Sequence, residues 1–329
     1  MTTRHPSVLI VDDEAGLRHS LRFSLAQRGF MTEEVEEALP ALRMIESRFS
    51  EGKPYQFVIA DINLPDINGL KLLELIKSKY PALPVIIISA YGSEGTGDAV
   101  GIKHGDAYLE KPFLVDDLTE VMRHIPERRI EAVELPGAAV EKTSISAYVM
   151  VTIRPEADVM GLFRDLYFMD HVVYCDAVRD QYDVVLLLNG ASANEIEQMV
   201  DRVKAMPGIA EAETYEIVRP VIEPEIADFI KDYEHHLHRE SHRARLAGTA
   251  VSAYLFVEVE KGRFAQVFPK LYFMNGVVSC DATHGQYDAV VLIQSQTFKG
   301  IEQILNEDVR MIDGIVRAHS VKVITMFEM

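Results

Sequence analysis

Short apolar runs in the first third of the chain end, one after another, in residues that can do chemistry. Val8-Leu9-Ile10-Val11 runs into Asp12-Asp13, and Phe57-Val58-Ile59-Ala60 into Asp61. Val85-Ile86-Ile87-Ile88 stops at Ser89, and Tyr108-Leu109-Glu110 leads to Lys111 and Pro112. Runs of this kind, bounded by Pro and Gly, fit buried strands of a parallel sheet. In open α/β sheets the site lies beyond the carboxyl ends of the strands, where these residues stand. Three carboxylates gathered there repel one another and raise each other's pKa. A hard divalent cation with oxygen ligands removes that cost. A lone Asp after a strand is more often a helix cap. An acidic pair, an Asp, a hydroxyl and a Lys, in that order at successive strand ends, is far more specific.

The elements that must hold these residues alternate. Strand 7–11 precedes a helix from about Glu14 to Arg28, with Leu17, Leu21 and Leu25 on one face and Gly29 as its stop. A Glu-rich edge strand near 31–35 leads to a helix over about 40–49. Strand 56–60 leads to a helix beginning at Leu70, strand 84–88 follows Pro84, and strand 106–109 leads to a helix from Val115 to His124. Five strands alternating with five helices imply a doubly wound, five-stranded parallel sheet. The fourth helix is the weakest, because Gly92, Gly95, Gly97 and Gly101 fall inside it. Each interior Gly costs about 1 kcal/mol relative to Ala. Either a mobile surface lies between Ser89 and Tyr108, or the helix is simply short.

Residues 6–125 resemble a response-regulator receiver domain, the phosphoacceptor half of two-component signalling. The resemblance implies Asp61 as the phosphorylated residue, Asp12 and Asp13 as the acidic pair, and Lys111 as the family's lysine. Ser89 becomes the switch hydroxyl and Tyr108 the switch aromatic. The Lys111-Pro112 bond is expected to be cis. The implied cofactor is Mg2+, held by Asp13, Asp61, the Asn63 carbonyl and Asp12, and the implied partner is a sensor histidine kinase. The chemistry of the residues agrees, since an ionised carboxylate can attack phosphorus and form an aspartyl-phosphate. Positioning and charge neutralisation do most of the work in such transfers.

The chain's 329 residues amount to two or three domains. A net charge of −18 without clustered basic residues argues against a nucleic-acid surface. The opening Met1-Thr2-Thr3-Arg4-His5-Pro6 lacks an apolar signal region, and no apolar run approaches the ~20 residues of a membrane span. Two cysteines do not make a disulfide framework. A cytoplasmic protein is expected.

Beyond a linker at 126–142 the sequence repeats itself. Ser146-Ala147-Tyr148 recurs as Ser252-Ala253-Tyr254, and Leu166-Tyr167-Phe168-Met169 as Leu271-Tyr272-Phe273-Met274. Cys175-Asp176-Ala177 and Gln181-Tyr182-Asp183 recur at Cys280-Asp281-Ala282 and Gln286-Tyr287-Asp288. Each copy parses as strand, helix, hairpin, helix, strand, the order of an α+β ferredoxin-like βαββαβ module. The hairpin and its Gln-Tyr-Asp entry resemble the ligand-sensing domain of the leucine-responsive (Lrp/AsnC) regulators. Those regulators carry an N-terminal helix-turn-helix, and here a receiver-like segment stands in its place. The plan is a receiver at 1–125, linker at 126–142, modules at 143–219 and 249–329, and a linking helix within 220–248. Both faces of the module strands are apolar, so the two modules are expected to pack sheet to sheet within one chain, with the helix over 224–246 along their side. A homodimer stays open.

The expected function is signalling through the phosphorylatable receiver, with an output protein or a small ligand binding the tandem modules. Amino acids are among the ligands the resemblance implies, close to Tyr182, Asp183, Tyr287 and Asp288. These four residues can equally close the hairpin and pack. Direct DNA binding is not expected, although a DNA-acting regulator is the alternative. An enzyme built on Cys175, Cys280, His171 or His284 is a third reading, against the usual role of a buried Cys as a small hydrophobe. No enzymatic activity is expected beyond self-phosphorylation from a donor and autodephosphorylation. His238 and His242, at i and i+4, could ligate a metal but read more simply as a polar helix face.

Overall fold

The computed structural model describes residues 6–90, 105–126, 145–233 and 250–324. The glycine-rich stretch at 92–101, most of the linker at 126–142, and His238 and His242 lie outside these residues. The described chain forms two compact units.

In the first unit, β1 (Ser7–Val11), β2 (Met31–Val35), β3 (Phe57–Asp61), β4 (Val85–Ala90) and β5 (Ala107–Lys111) form one sheet in the order β2-β1-β3-β4-β5. All four pairings are parallel. The continuous apolar runs occupy the interior strands, where both faces are covered. The Glu-bearing β2 takes the edge, where Glu33 pairs with Arg48 at 2.8 Å and Glu34 with Arg22 at 3.7 Å. Helices α1 (Ala15–Ala26) and α4 (Val115–His124) bury Leu21, Leu25, Leu118 and Met122 against Val8, Ile10, Ile59 and Ile86 on one face. Each fully buried side chain of this kind stabilises the fold by about 1.5–3 kcal/mol. Two further helices, α2 (Ala38–Ser50) and α3 (Gly69–Lys79), bury Leu42, Ile45, Leu72, Leu75 and Ile76.

The helix over 224–233 groups with this same unit. Its Phe229 ring meets Tyr80 edge-on at 6.3 Å. Ion pairs Arg43–Glu223 (2.5 Å) and Lys79–Asp232 (3.2 Å) flank the contact. The stripe of Ile226, Phe229, Ile230 and Tyr233 marked the helix correctly as amphipathic. Periodicity does not say which of two apolar surfaces a helix will cover.

The second unit is a closed barrel of eight strands in the order β10-β12-β11-β9-β6-β8-β7-β13. Its first half comprises β6 (Ile145–Ile153), β7 (Val172–Arg179), β8 (Val184–Gly190) and β9 (Ile209–Ile217). Its second half comprises β10 (Val251–Val259), β11 (Val277–His284), β12 (Ala289–Ser295) and β13 (Ile315–Val323). In each half a helix follows the first strand and another follows the third: Val159–Tyr167 and Ala193–Lys204, then Phe264–Tyr272 and Phe298–Gln303. The last is shorter than expected, because the chain continues as a π-turn over Ile304–Asp308 and a 3₁₀ turn over Val309–Met311.

Alternation along β6 accounts for the two-sided burial. Ala147, Val149, Val151 and Ile153 face the helices with Leu166, Met199 and Val203. Tyr148 and Met150 face the barrel interior with Tyr254, Phe256 and Val290 of the other half. The halves meet within one chain through this shared core. They also hydrogen-bond at their edges, β9 to β11 and β7 to β13, which closes the cylinder beyond simple face-to-face packing.

Candidate functional site

At the carboxyl ends of β1 and β3, Asp12, Asp13 and Asp61 each bring one carboxylate oxygen to within 4.8 Å of the others. Asp12 is 0% and Asp61 5% exposed, whereas Asp13 reaches solvent. From the end of β5, Lys111 Nζ donates to Asp12 Oδ2 at 2.9 Å and lies 3.4 Å from Asp61 Oδ2. The Glu14 N–H donates to the other Asp12 oxygen at 2.7 Å. Asp61 Oδ1 is buried and has no hydrogen-bond partner among the described residues.

Burial pushes the Asp61 carboxyl above its ordinary value; the Lys111 charge opposes this and the Asp12 charge adds to it. Burial pulls the Lys111 ammonium down, but the Asp12 hydrogen bond and the charges of Asp12 and Asp61 together raise it. One cation thus serves two buried acids and leaves one oxygen unsatisfied. Such an atom costs about 1–3 kcal/mol unless something binds it. Three converging carboxylates form the hard oxygen donor set that suits Mg2+.

The remaining expected residues surround this cluster. Ser89 is buried at the end of β4, and its hydroxyl donates to the Ala90 carbonyl at 3.1 Å. Tyr108 is half-buried on β5, paired in register with Ile87. Asn63 is exposed in the loop two residues past Asp61. The Lys111–Pro112 peptide is cis.

Two residues in the Asp61 loop have roles that motif reading missed. Asp66 accepts from the Ala38 and Leu39 N–H groups at 2.8 and 2.7 Å, capping α2 from across the site. The signal was present, since Glu37 precedes α2 and its side chain forms no cap. Gly69 opens α3 directly over the Asp61 backbone, and a Cβ there would lie 1.9 Å from the Asp61 carbonyl oxygen. No other residue type fits that approach.

Residues 8–123 match the family model of the response regulator receiver domain. The chain carries a receiver domain. It is 33% identical over 158 residues to a putative NtrX-like response regulator of Rickettsia felis, covering 46% of this chain and 32% of that protein. The transcriptional regulatory protein CreB of Escherichia coli is 31% identical over 135 residues, covering 41% and 56%. The chain spans about a third of the length of the Rickettsia relatives it matches. Among solved structures, the complex of histidine kinase ThkA with response regulator TrrA matches at 28% identity and TM-score 0.33, over 36% of this chain and 97% of that one.

In the barrel, Tyr182, Asp183, Tyr287 and Asp288 make the packing and hairpin contacts that the alternative reading describes. Tyr182 and Tyr287 are buried in the interior core. The Tyr182 hydroxyl donates to Glu213 at 2.8 Å, and Tyr215 donates to the same carboxylate at 2.9 Å. Asp183 and Asp288 accept from the Ile153 and Val259 N–H groups, each at 2.7 Å. Those N–H groups sit at the bulges where β6 and β10 shift register, so the carboxylates staple the bulges. The Gln-Tyr-Asp signal therefore marks a backbone device. None of the four lines the cavity of about 600 Å3 beside Glu197, Asp201, Lys204, Thr214, Glu216 and His284.

The matched Tyr and Asp motifs meet across the halves. Tyr148 donates to Asp281 at 2.7 Å, and Tyr254 donates to Asp176 at 2.5 Å. Cys175 and Cys280 are buried and free. Burial pushes the Cys175 thiol up to about 12 and Cys280 up as well, each helped by the neighbouring Asp. Both stay protonated and therefore weakly nucleophilic at neutral pH. His171 lies 3.4 Å from Glu195, and His284 lines the cavity. No helix among the described residues is long and apolar enough to cross a membrane.

Proposed function

We propose that this chain is a phosphorelay signalling protein that accepts a phosphoryl group on Asp61 from a sensor histidine kinase. The barrel halves are read as tandem ferredoxin-like modules of the Lrp/AsnC kind, whose output is the binding of a protein or a small ligand. The observation that carries the reading is Lys111 Nζ at 2.9 and 3.4 Å from two buried carboxylates, with Asp61 Oδ1 unpartnered among the described residues.

An Asp61 oxygen attacks phosphorus while the donor's leaving group departs with the bonding electrons. Lys111 holds Asp12 in place and offsets negative charge at the acceptor. Asp12, Asp13, Asp61 and the Asn63 carbonyl would hold Mg2+, which when bound supplies charge neutralisation for the phosphoryl oxygens. Ser89 can swing its hydroxyl from the Ala90 carbonyl to a phosphoryl oxygen, and Tyr108 follows as the switch aromatic. Pocket catalysis by the barrel is disfavoured by the protonated thiols. The cavity beside His284 is the place to look for the small-ligand output.

A small phosphodonor with Mg2+ should label wild type and not Asp61→Asn, as read by intact mass. Stoichiometric labelling of Asp61→Asn would sink the proposal. The relatives named as transcriptional regulators favour a second reading, action on DNA directly or through a partner. The net charge of −18 opposes the direct form. Enrichment of a motif from a randomised duplex pool would revive it.

A further inference from the structure

The two joints that close the barrel are built from matched residues of opposite charge. β9 meets β11 with Glu216 opposite His284, and β13 meets β7 with Lys322 opposite Arg179. Glu216 and Lys322 hold the same register, against Ala147 and Ala253, and Arg179 and His284 each stand four residues past the matched Cys175 and Cys280. On the helix at each joint the matched acids are Glu197 and Glu302, which follow Ile196 and Ile301. Glu302 has its counterion. The Lys322 ammonium lies 3.0 Å from its carboxylate and 5.4 Å from the Phe298 ring centre. At the first joint Glu216 takes the place of that lysine, and Ala193 the place of that ring.

The cavity beside His284 lies at this first joint, between the helix Ala193–Lys204 and β9. Glu197, Asp201 and Glu216 bring three carboxylates to it against the one ammonium of Lys204. None of the three acids forms an ion pair among the described residues. Ile196 and Val200 are buried and form an apolar wall. Thr214 Oγ1 is buried at the same place and has no hydrogen-bond partner among the described residues. A volume of about 600 Å3 falls within the roughly 300–1,000 Å3 of small-molecule sites. An ammonium group carries three N–H donors and no acceptor, which suits carboxylates and a hydroxyl oxygen. Two such groups offset the excess of acids, and a chain of methylenes between them suits the apolar wall.

We propose that this cavity binds an aliphatic diamine or polyamine, with its ammonium groups at Glu197, Asp201 and Glu216 and its methylene spacer along Ile196 and Val200. The Lys322 side chain, an ammonium on a four-carbon stem, is the internal counterpart that serves the other joint. The acids set charge preference and on-rate. The proposal deepens the small-ligand output and rests on that reading of the barrel, and it does not depend on phosphorylation of Asp61.

1,5-Diaminopentane titrated calorimetrically into the full chain should bind saturably, and added salt should weaken it. L-Lysine is the same diamine with a carboxylate added, and should bind at least about tenfold more weakly because the acids repel that group. Glu216→Lys rebuilds the occupied joint and should weaken the diamine by about tenfold or more. Glu197→Gln should weaken it by about threefold, while Glu302→Gln, at the other joint, should leave it unchanged. All three positions are exposed, so each variant should keep the wild-type circular dichroism. Absence of saturable binding by wild type overturns the proposal, as does unchanged affinity in both Glu216→Lys and Glu197→Gln. Equal weakening by Glu302→Gln would make the effect one of bulk charge and sink it. Loss of binding in Asp61→Asn, with Glu216→Lys unaffected, would put the amine in the receiver and sink it too. Tighter binding of L-lysine than of the diamine would keep a small-ligand role for the barrel and overturn the diamine alone.

Discussion

The carboxylates of the parallel sheet and those of the barrel are treated in opposite ways. Asp183 and Asp288 each accept from one bulge N–H, and Asp176 and Asp281 each accept from a tyrosine of the other half. Asp12 and Asp61 share one lysine, and Asp61 Oδ1 has no partner among the described residues. Asp12 and Asp61 are buried, while the four barrel acids are half-buried or exposed, so the two sets differ in burial as well as in satisfaction. A carboxylate whose bonds are complete holds a structure, and one left incomplete has free energy available for a ligand or a reaction.

The sharpest way to break this contrast is to remove the barrel's staples. Asp183→Ala with Asp288→Ala should leave two backbone N–H groups without acceptors, at about 1–3 kcal/mol apiece. A urea midpoint followed by tyrosine fluorescence should fall accordingly; an unchanged midpoint would make the two acids bystanders. The receiver should respond instead to an added cation. Mg2+ at about a hundred times its Kd should stabilise wild type by about 2.7 kcal/mol, reversed by chelation. Asp61→Asn should lose most of that gain, and an equal gain in the variant would place the ion elsewhere.

Without metal, pH sharpens the same difference. The raised Asp61 pKa means that the folded protein keeps this proton longer than the unfolded chain does. Its contribution is therefore fully present below the ordinary carboxylate pKa of about 3.9 and is lost as pH rises through the folded value. Asp61→Asn should consequently gain on wild type in unfolding free energy as pH rises through the acid range. A gap that closes instead would show the carboxylate to be stabilised by its surroundings. The smallest effect belongs to single hydroxyls in the barrel. Tyr148→Phe and Tyr254→Phe should each cost about 1 kcal/mol, and similar amounts, because the two bonds are matched. A large inequality would mean that the halves do not share the load.

The receiver site was readable because its chemistry is local to strand ends: each functional residue follows an apolar run, and the run locates it. Asp66 was not readable in the same way, since the helix it caps begins 28 residues earlier in the chain. The matched blocks revealed two similar halves, but not why Tyr148 and Asp281 recur, because their bond spans 133 residues. Gln-Tyr-Asp stayed open between packing and a ligand for a related reason. An acid that staples a bulge and an acid that waits for a ligand look identical until its hydrogen bonds are counted.

The closure of the barrel within one chain has a consequence for stoichiometry. A two-fold symmetric dimer must write every surface twice, so any partner it recruits arrives in pairs. One polypeptide that supplies both halves is released from that obligation. A residue can then change on one side while its counterpart keeps an older duty, as aspartate at 158 and arginine at 263 illustrate. Single-copy recruitment of two unlike partners becomes available to a scaffold whose geometry is still that of a pair.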